Sequence, residues 1–374
     1  MLRHTSVKSV LNCGRIVSLV LGLKWSAAVA ATELTGLGTP AIDGTLSTGE
    51  WARAAHVSFP VNVPGGGTVP GELYVMSDSR NFYAAVTFGF VASELGTGNT
   101  ASLNFDNDGA GGLNPVAGDD ILLINPNPAV GFWDETRVIS TEYPACPPSS
   151  ICGVKDLDVG GANDGAGAFG QSNGATVYEF SHPLNTSDNI HDFSLKFGSL
   201  LGYQVDIRLT VNGVIADTLY PLTSSPVNYG KIRIAQALAV PVDVRPGICP
   251  NEVDLSKRNL TVAVAGSAAV RASSIAPASI RLAGAEPTAW RLRDVTRPYR
   301  PYVAKPGPSA CTAKGGDGAK DLVLTFATAD VLRGLGGSLA PGAVVGLSLT
   351  GRLTSAAGGK PFVGEDVVRI VAGD

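Results

Sequence analysis

Apolar and polar residues alternate with a period of two in several short segments of the chain. The clearest case lies within residues 41–88, where the segments ELYVM and NFYAAVTF carry an apolar residue at every second position. Such alternation is typical of strands that place one face on a core. Turns rich in Asp, Ser, Asn and Gly separate these segments, and these residue types supply the local hydrogen bonds and positive φ angles that turns need. The pattern predicts the first strands of a β-sandwich.

Short apolar segments separated by turn residues recur to the end of the chain, which predicts an all-β protein. The composition agrees, because the chain has 46 Gly, 24 Pro and only 16% charged residues. The 44% of hydrophobic residues argues for a packed core and against disorder. A segment rich in Gly and Pro at 135–173 is predicted to form long loops, and a short helix is predicted at 328–335.

The first 31 residues have the features of a secretory signal peptide. Basic residues precede a short apolar segment at 16–23, and the small-x-small pattern AVA follows at 28–30. A membrane anchor is the alternative, but the apolar segment is far shorter than the ~20 residues that a spanning helix needs. No membrane span is therefore expected after removal of the signal, and the predicted location is secreted, either extracellular or periplasmic.

The mature chain divides into two parts. We predict a β-sandwich over 32–235, a linker at 236–241 and a β-rich accessory domain over 242–374. The predicted fold class is thus all-β, with two β-sandwich-type domains in tandem after the signal peptide. Two domains are consistent with a chain of 374 residues.

The charge of the mature chain limits the class of partner. Four of the 28 basic residues lie in the predicted signal peptide, so the mature chain would carry 24 basic and 32 acidic residues and a net charge of −8. This charge opposes nonspecific binding to nucleic acid. Nucleic acid is therefore not an expected partner.

Four cysteines remain after signal removal, and an even number in a secreted chain predicts disulfides. Three pairings are possible. We favour Cys146–Cys152, within the segment PACPPSSIC, and Cys249–Cys311. Free thiols or a zinc site are the alternatives, but the spacings are not CxxC and no His lies near these cysteines in sequence.

The segment NFDNDGAGGLNPVAGDDILL predicts a calcium site. Calcium takes six to eight oxygen ligands, and clustered Asp side chains with Asn and backbone carbonyls can provide them. An EF-hand is excluded because its twelfth position would be Pro115 instead of Glu. The alternative is a hydrated, Asx-rich turn. The predicted ligands are Asp106, Asp108, Asp119 and Asp120.

Two motifs in the Gly-rich segment match enzyme patterns without the required context. Residues 165–170 fit GxGxxG, but a dinucleotide site needs a strand before this motif and a helix after it. Residues 170–174 fit GxSxG, which needs a strand–turn–helix context that is also absent. We interpret both as loop segments and predict no enzymatic activity.

The residues in the first half resemble a known family. The segments IDG, EW, NFYAAV, NFDNDG, GDDILL, VYEFSHPL and HDFSL, within about 39–234, are similar to the family 9-like carbohydrate-binding modules, close to the DOMON superfamily. Residues from about 240 to 371 resemble a β-rich accessory domain of uncharacterised function found in secreted bacterial proteins. The resemblance implies a non-catalytic module that binds polysaccharide or another cell-surface component.

Sugar-binding members of this family hold the ligand between two Trp side chains. Here Trp51 belongs to the EW motif and is predicted to lie in the core, so Trp133 is the one Trp platform expected in the first half. Tyr83, Tyr143 or Tyr178 could replace the second platform. The predicted ligand contacts are Trp133, Tyr143 and Tyr178.

The DOMON relationship also implies haem, which some relatives bind through axial Met or His. The pair to test would be Met76 with His182 or His191. A core Met and surface His residues are the favoured interpretation, so haem is not an expected cofactor. The predicted function is a secreted binding or adhesion module; a haem-binding electron-transfer protein and a purely structural surface protein are the alternatives.

Overall fold

The computed structural model describes residues 32–372, except 48, 91–98, 108, 110, 128–130, 173, 224 and 336–338. The predicted signal peptide, 1–31, lies outside the described residues. The fold is all-β, as predicted, and the α-helix found in the described ranges is Thr328–Gly334, here α1. No described helix is long and apolar enough to cross a membrane.

The first half of the described chain forms two sheets. One sheet has the order β1-β14-β12-β6-β7-β8-β9, with β13 on β12, and the other has the order β10-β11-β5-β4-β2, with β3 on β4. Short 3₁₀ turns occupy Asp156–Asp158 and Pro226–Asn228. The strands are β1 Thr32–Leu34, β2 Gly36–Leu37, β3 Ala55–Asn62, β4 Thr68–Ser77, β5 Asn81–Phe88, β6 Thr100–Asp106, β7 Asp120–Asn125, β8 Gly131–Ile139, β9 Ile151–Lys155, β10 Ala166–Ser172, β11 Ala175–Pro183, β12 Leu200–Val211, β13 Val214–Tyr220 and β14 Gly230–Arg233.

The second half forms two further sheets. Their orders are β15-β23-β22-β19, with β17 on β23, and β16-β18-β21-β20. Short 3₁₀ turns occupy Ala272–Ser274, Pro277–Ser279 and Ser355–Ala357. The strands are β15 Leu238–Ala239, β16 Val242–Val244, β17 Glu252–Asp254, β18 Asn259–Val264, β19 Arg281–Leu282, β20 Ala289–Arg293, β21 Asp321–Ala327, β22 Val344–Arg352 and β23 Pro361–Val371.

Alternating residues of facing sheets build two separate hydrophobic cores. In β5, Phe82, Ala84, Val86 and Phe88 are buried and pack in the first core, which agrees with the period-two pattern. The second core is formed by residues between Val240 and Ile370. The division into domains at 235 and 242 stays a prediction.

Two segments without predicted strands contain strands. The predicted linker, 236–241, includes β15, which pairs in parallel with β23. The segment predicted as long loops contains most of β8 and all of β9 and β10. Its glycines mask the apolar alternation on which strand prediction depends, and the GxGxxG match lies mostly within β10. A Cβ atom on Gly170 would lie 2.1 Å from the carbonyl oxygen of Gly44, so this glycine permits close backbone packing.

A buried carboxylate anchors the segment before β3 to the first sandwich. The Glu179 side chain accepts hydrogen bonds from the backbone N–H groups of Asp43 and Gly44 and from Nε1 of Trp51, at 2.9, 2.7 and 3.0 Å. Trp51 is buried beside Met76 and Tyr83 in a small cluster apart from the main core. The EW motif is therefore structural.

Polar side chains of the two halves meet at the turn between β4 and β5, where Ser79 contacts Ser348 and Glu365. Nη2 of Arg80, in the turn between β4 and β5, lies 2.7 Å from Oε1 of Glu365 in β23. Glu365 is fully buried and also accepts hydrogen bonds from the backbone N–H groups of Ala304 and Lys305. A polar turn of the first sandwich thus completes a buried hydrogen-bond network of the second.

Two disulfides form among the described residues. Cys146 pairs with Cys152, with a Cα–Cα distance of 5.9 Å, and Cys249 pairs with Cys311, with a Cα–Cα distance of 5.7 Å. The first closes a turn between β8 and β9. The second joins segments that are 62 residues apart in sequence.

Candidate metal centre

Two aspartates lie on the inward face of neighbouring strands in the first sandwich. Asp120 begins β7, and Asp134 in β8 pairs with Leu122 of β7. Paired residues share a face of a sheet and alternate residues return to that face. Asp120 and Asp134 are therefore diagonal neighbours that point toward the opposite sheet, on the same side as the core residue Leu122.

The opposite sheet and a connecting segment complete the cluster. His182 lies near the end of β11, beside Phe82 of β5 in the register. Asp192 follows in the connection between β11 and β12. One ligand atom from each of Asp120, Asp134, His182 and Asp192 can be chosen so that all four atoms lie within 4.8 Å of one another, and all four residues are buried. We call this set the acidic centre.

The ring nitrogens of His182 have different surroundings. Nδ1 lies 2.8 Å from the carbonyl oxygen of Pro183, and a carbonyl only accepts hydrogen bonds, so Nδ1 carries a proton. Nε2 points into the acidic centre, 3.3 Å from Oδ2 of Asp134 and 3.7 Å from Oδ1 of Asp192. The backbone thus holds the ring with Nε2 toward the carboxylates. In metal sites, a hydrogen bond from one ring nitrogen commonly orients a His whose other ring nitrogen binds the metal.

Many oxygen atoms around the acidic centre are buried without a hydrogen-bond partner in the described structure. Asp156, at the start of the turn that follows β9, and Asp164, just before β10, add carboxylates to the four residues above. Seven carboxylate oxygens are unpartnered: both of Asp120, both of Asp156 and one each of Asp134, Asp164 and Asp192. Buried polar groups without partners are rare in native proteins, and a bound water or ion commonly satisfies them.

Burial and mutual repulsion act on the carboxylates of the acidic centre. Burial raises the pKa of Asp120 well above its usual value, with Asp134 and Asp192 adding to the shift and His182 opposing it. Burial, together with Asp134 and Asp120, raises the pKa of Asp156 to about 9. No Lys or Arg of the described chain forms an ion pair with Asp120, Asp134, Asp156 or Asp192. A divalent cation would supply the charge that these carboxylates lack.

The pKa values of His182 and Asp192 shift in opposite directions. Burial by itself lowers the pKa of His182, but hydrogen bonds and charge from Asp134, Asp192 and Asp120 outweigh it and raise the pKa well above its usual value. Burial by itself raises the pKa of Asp192, but His182 and the hydroxyl of Thr186 outweigh it, so the pKa is lowered. The ring of Phe193, whose centroid lies 4.4 Å from that of His182, forms an apolar wall of the centre.

A second acidic group extends the centre toward the surface. Asp164, Asp188 and Asp192 can also place one ligand atom each within 4.8 Å of the others, and Asp192 belongs to both groups. Asp188 is half-buried and pairs with Nδ1 of His191 at 2.7 Å. This pair ties the connection between β11 and β12 to the edge of the centre.

The aspartates predicted to bind calcium lie in different surroundings. Oδ2 of Asp106 lies 3.2 Å from Nζ of Lys231, and Asp119 accepts hydrogen bonds from the backbone N–H groups of Val116 and Asn107. Asp108 lies outside the described residues. Only Asp120 belongs to the acidic centre, because successive side chains at the start of a strand point to opposite faces. Calcium binding by Asp106, Asp108, Asp119 and Asp120 together stays a prediction.

The sequence prediction missed Asp134, Asp156, Asp164 and Asp192. A signal for Asp134 was present, since it follows Trp133 in a strand and an Asp on a buried strand face is unusual. His182 and Asp192 were visible in the segment SHPLNTSDNIHDF but were interpreted as turn residues. Their proximity to β7 and β8 depends on how the two sheets pack, which short-range patterns do not encode.

The predicted sugar-contact residues lie in three different environments. Trp133 is half-buried on the outer face of β8, and Nζ of Lys155 lies 3.9 Å from its ring centroid. Tyr143 is half-buried in the turn after β8. Tyr178 is fully buried in the first core beside Phe88 and Phe169, so the prediction that it forms a surface platform is corrected: its side chain lies on the inward face of β11.

Met76 and His182, one of the two pairs named above as haem ligands to test, lie apart in the structure. Met76 pairs with Tyr83, and His182 pairs with Phe82, which is the neighbour of Tyr83 in β5. Because adjacent residues of a strand point to opposite faces, Met76 and His182 lie on opposite sides of one sheet. They cannot both bind one haem iron in this structure.

Comparisons with known proteins identify carbohydrate-binding modules of low similarity. A family 9 carbohydrate-binding module from Caldicellulosiruptor kristjanssonii, in complex with cellotriose, matches 55% of this chain and 94% of that chain at 10% identity, with a TM-score of 0.38. A family 9 module from the same organism, in complex with glucose, matches 55% and 97% at 11% identity, also with a TM-score of 0.38. A putative carbohydrate-binding protein from Bacteroides uniformis matches 55% and 100% at 6% identity, with a TM-score of 0.31. No family profile and no curated protein matches the chain.

Proposed function

We propose that this protein is a secreted, non-catalytic binding module whose first sandwich holds a calcium ion in the acidic centre. The observation that carries the proposal is the set of seven unpartnered carboxylate oxygens buried between the two sheets, with Nε2 of His182 directed toward them. An arrangement of this kind leaves buried charge uncompensated unless a cation or protons are present.

The donor set suits calcium. Calcium takes six to eight oxygens and tolerates irregular geometry, and the oxygens of Asp120, Asp134, Asp156 and Asp192 would form most of its shell. His182, protonated on both nitrogens, would then bind the carboxylates from the opposite side. The ion would neutralise the carboxylates and join β7, β8 and the connection after β11, which supports a structural role for the metal.

We expect calcium to raise the thermal stability of the oxidised mature protein. A ligand that binds only the folded state, and is present at a concentration of 100 times its Kd, stabilises that state by about 2.7 kcal/mol. The measurement is the Tm in EDTA and in a calcium series, with manganese and zinc series at matched ionic strength. A Tm that is the same in EDTA and in every metal would contradict the proposal, and stabilisation by zinc or manganese but not calcium would assign His182 as a metal ligand instead.

We propose polysaccharide as the ligand of the module, with Trp133 as the contact. The support lies in the outer face of β8, where the half-buried indole of Trp133 stands beside Lys155 and two positions from Glu135. An aromatic ring flanked by charged groups can stack on the apolar face of a sugar while neighbouring groups bond its hydroxyls. The sequence resemblance to carbohydrate-binding modules agrees with this assignment.

Replacing Trp133 by Ala is expected to weaken binding to a soluble polysaccharide at least about tenfold, which corresponds to ~1.4 kcal/mol. The measurement is affinity electrophoresis across a panel of glucans, xylans and mannans. Trp290→Ala is the matched control, because Trp290 lies in the second half and is 57% exposed. Equal retardation of the Trp133→Ala variant and the wild type would exclude Trp133 as the contact.

A further inference from the structure

A cavity of about 380 Å³ lies in the second half of the molecule, outside the sites described above. It is bordered by the segment before β17, by β18 and by the edge strand β20. Its volume falls in the range of small-molecule sites. Its walls contain three cationic side chains, Arg245, Lys257 and Arg291, and one acidic side chain, Asp254.

The cationic charge of this cavity is only partly compensated. Nζ of Lys257 lies 3.7 Å from Oδ2 of Asp254, and both groups meet water. Nη1 of Arg245 donates to the carbonyl oxygen of Glu252 at 3.1 Å, so its guanidinium is held in place without an acidic partner. Arg291 is exposed, and its side chain forms no ion pair with the described residues, although its backbone pairs with Val323 in the β20–β21 ladder. An anion would therefore find two guanidinium groups available for charge-assisted hydrogen bonds.

The rest of the lining limits the shape of the ligand. Asn259 and Thr261 provide uncharged polar groups, while Val253, Leu260 and Val323 provide an apolar surface. This combination suits a compact ring that has one apolar face, several hydroxyls and one anionic group. A simple inorganic anion would use the arginines and leave the apolar and hydroxyl groups without contacts.

We infer that this cavity binds a carboxylate-bearing saccharide of the uronate class, with Arg245 and Arg291 on the carboxylate and the side chains of Asn259 and Thr261 on sugar hydroxyls. The inference rests on the proposed polysaccharide function but uses a different surface from Trp133. The second half of the molecule would then recognise acidic sugars. The first sandwich is not required for these contacts.

Isothermal titration of the full mature protein with a uronate disaccharide tests the inference. The same disaccharide with its carboxylate reduced to the alcohol, and sodium sulfate, serve as comparison probes. We expect saturable binding of the uronate, at least about tenfold weaker binding of the reduced sugar, and no comparable binding of sulfate. Equal binding of the reduced sugar, equal binding of sulfate, or no binding of the uronate at millimolar concentration would overturn the inference.

Arg291→Gln is expected to weaken uronate binding about tenfold or more. Lys360→Gln is the matched control, because it removes one exposed positive charge that does not line the cavity. Trp133→Ala should leave uronate binding unchanged. The test of polysaccharide binding at Trp133 and the test of uronate binding in this cavity can therefore fail independently of each other. Unchanged affinity in a folded Arg291→Gln variant would exclude the cavity as the binding site.

Discussion

Replacing Asp120 by Asn is expected to stabilise the protein in EDTA and to destabilise it in calcium. Without a cation, folding buries Asp120 near Asp134 and Asp192, and Asn has the same shape without the charge. The expected gain is about 1–2 kcal/mol in the free energy of unfolding, since an unpartnered buried charge costs more than an unpartnered buried amide. With calcium, the variant loses a ligand that is fully buried, and the expected loss is about 2–3 kcal/mol.

A change in unfolding free energy that is positive in EDTA and negative in calcium would identify Asp120 as a calcium ligand. Urea unfolding at one pH, in EDTA and in calcium, measures both values for the wild type and the variant. Asp158→Asn is the control, because Asp158 lies in the 3₁₀ turn next to the centre but is exposed; it should change stability little in either buffer. Destabilisation by the same amount in both buffers would mean that Asp120 has a structural role and that the calcium proposal is wrong.

Replacing Lys305 by Met is expected to destabilise the second half by about 3–5 kcal/mol, the usual cost of leaving one member of a buried ion pair alone. Lys305 is 3% exposed. Its Nζ lies 2.9 Å from Oδ1 of Asp366 and 3.0 Å from the carbonyl oxygen of Val242. Met fills a similar volume to Lys. The lost stability is therefore caused mainly by the charge that remains unpaired on Asp366, and less by a change in packing.

A double variant separates the charge from the packing. Lys305→Met with Asp366→Asn removes both charges and keeps an acceptor oxygen for the N–H of Val244 and the amide of Asn251, which donate to Asp366 in the structure. We expect it to recover at least about half of the stability lost in the single variant. Urea unfolding followed by circular dichroism measures both. A single variant that loses less than about 1 kcal/mol would contradict a desolvated ion pair.

Both predictions concern charged residues that short-range patterns place on the surface. Lys305 stands in the segment YVAKPG, between residues typical of a turn, and nothing nearby in sequence indicates burial. Its partner Asp366 is 61 residues away and lies inside β23. An ion pair of this kind exists only when β16 and β23 enclose the segment that carries the lysine.

The sequence by itself determined the strands whose side chains alternate, such as β4 and β5, because the period of two is a local consequence of strand geometry. It did not reveal β9 and β10, since Gly, Pro and Ser hide the alternation there. Glycines such as Gly170 are required by close contact with a distant backbone, which is a tertiary reason.

The candidate site was decided by tertiary structure. The sequence drew attention to Asp120 through the adjacent pair in GDDILL, but it grouped that residue with Asp106 and Asp119, its neighbours in the chain. Strand geometry turns Asp119 and Asp120 to opposite faces, and sheet packing brings Asp120 together with His182, which is 62 positions away in the printed sequence. A local pattern specifies which residues can bind a cation, whereas the packing of two sheets decides which of them share one ion.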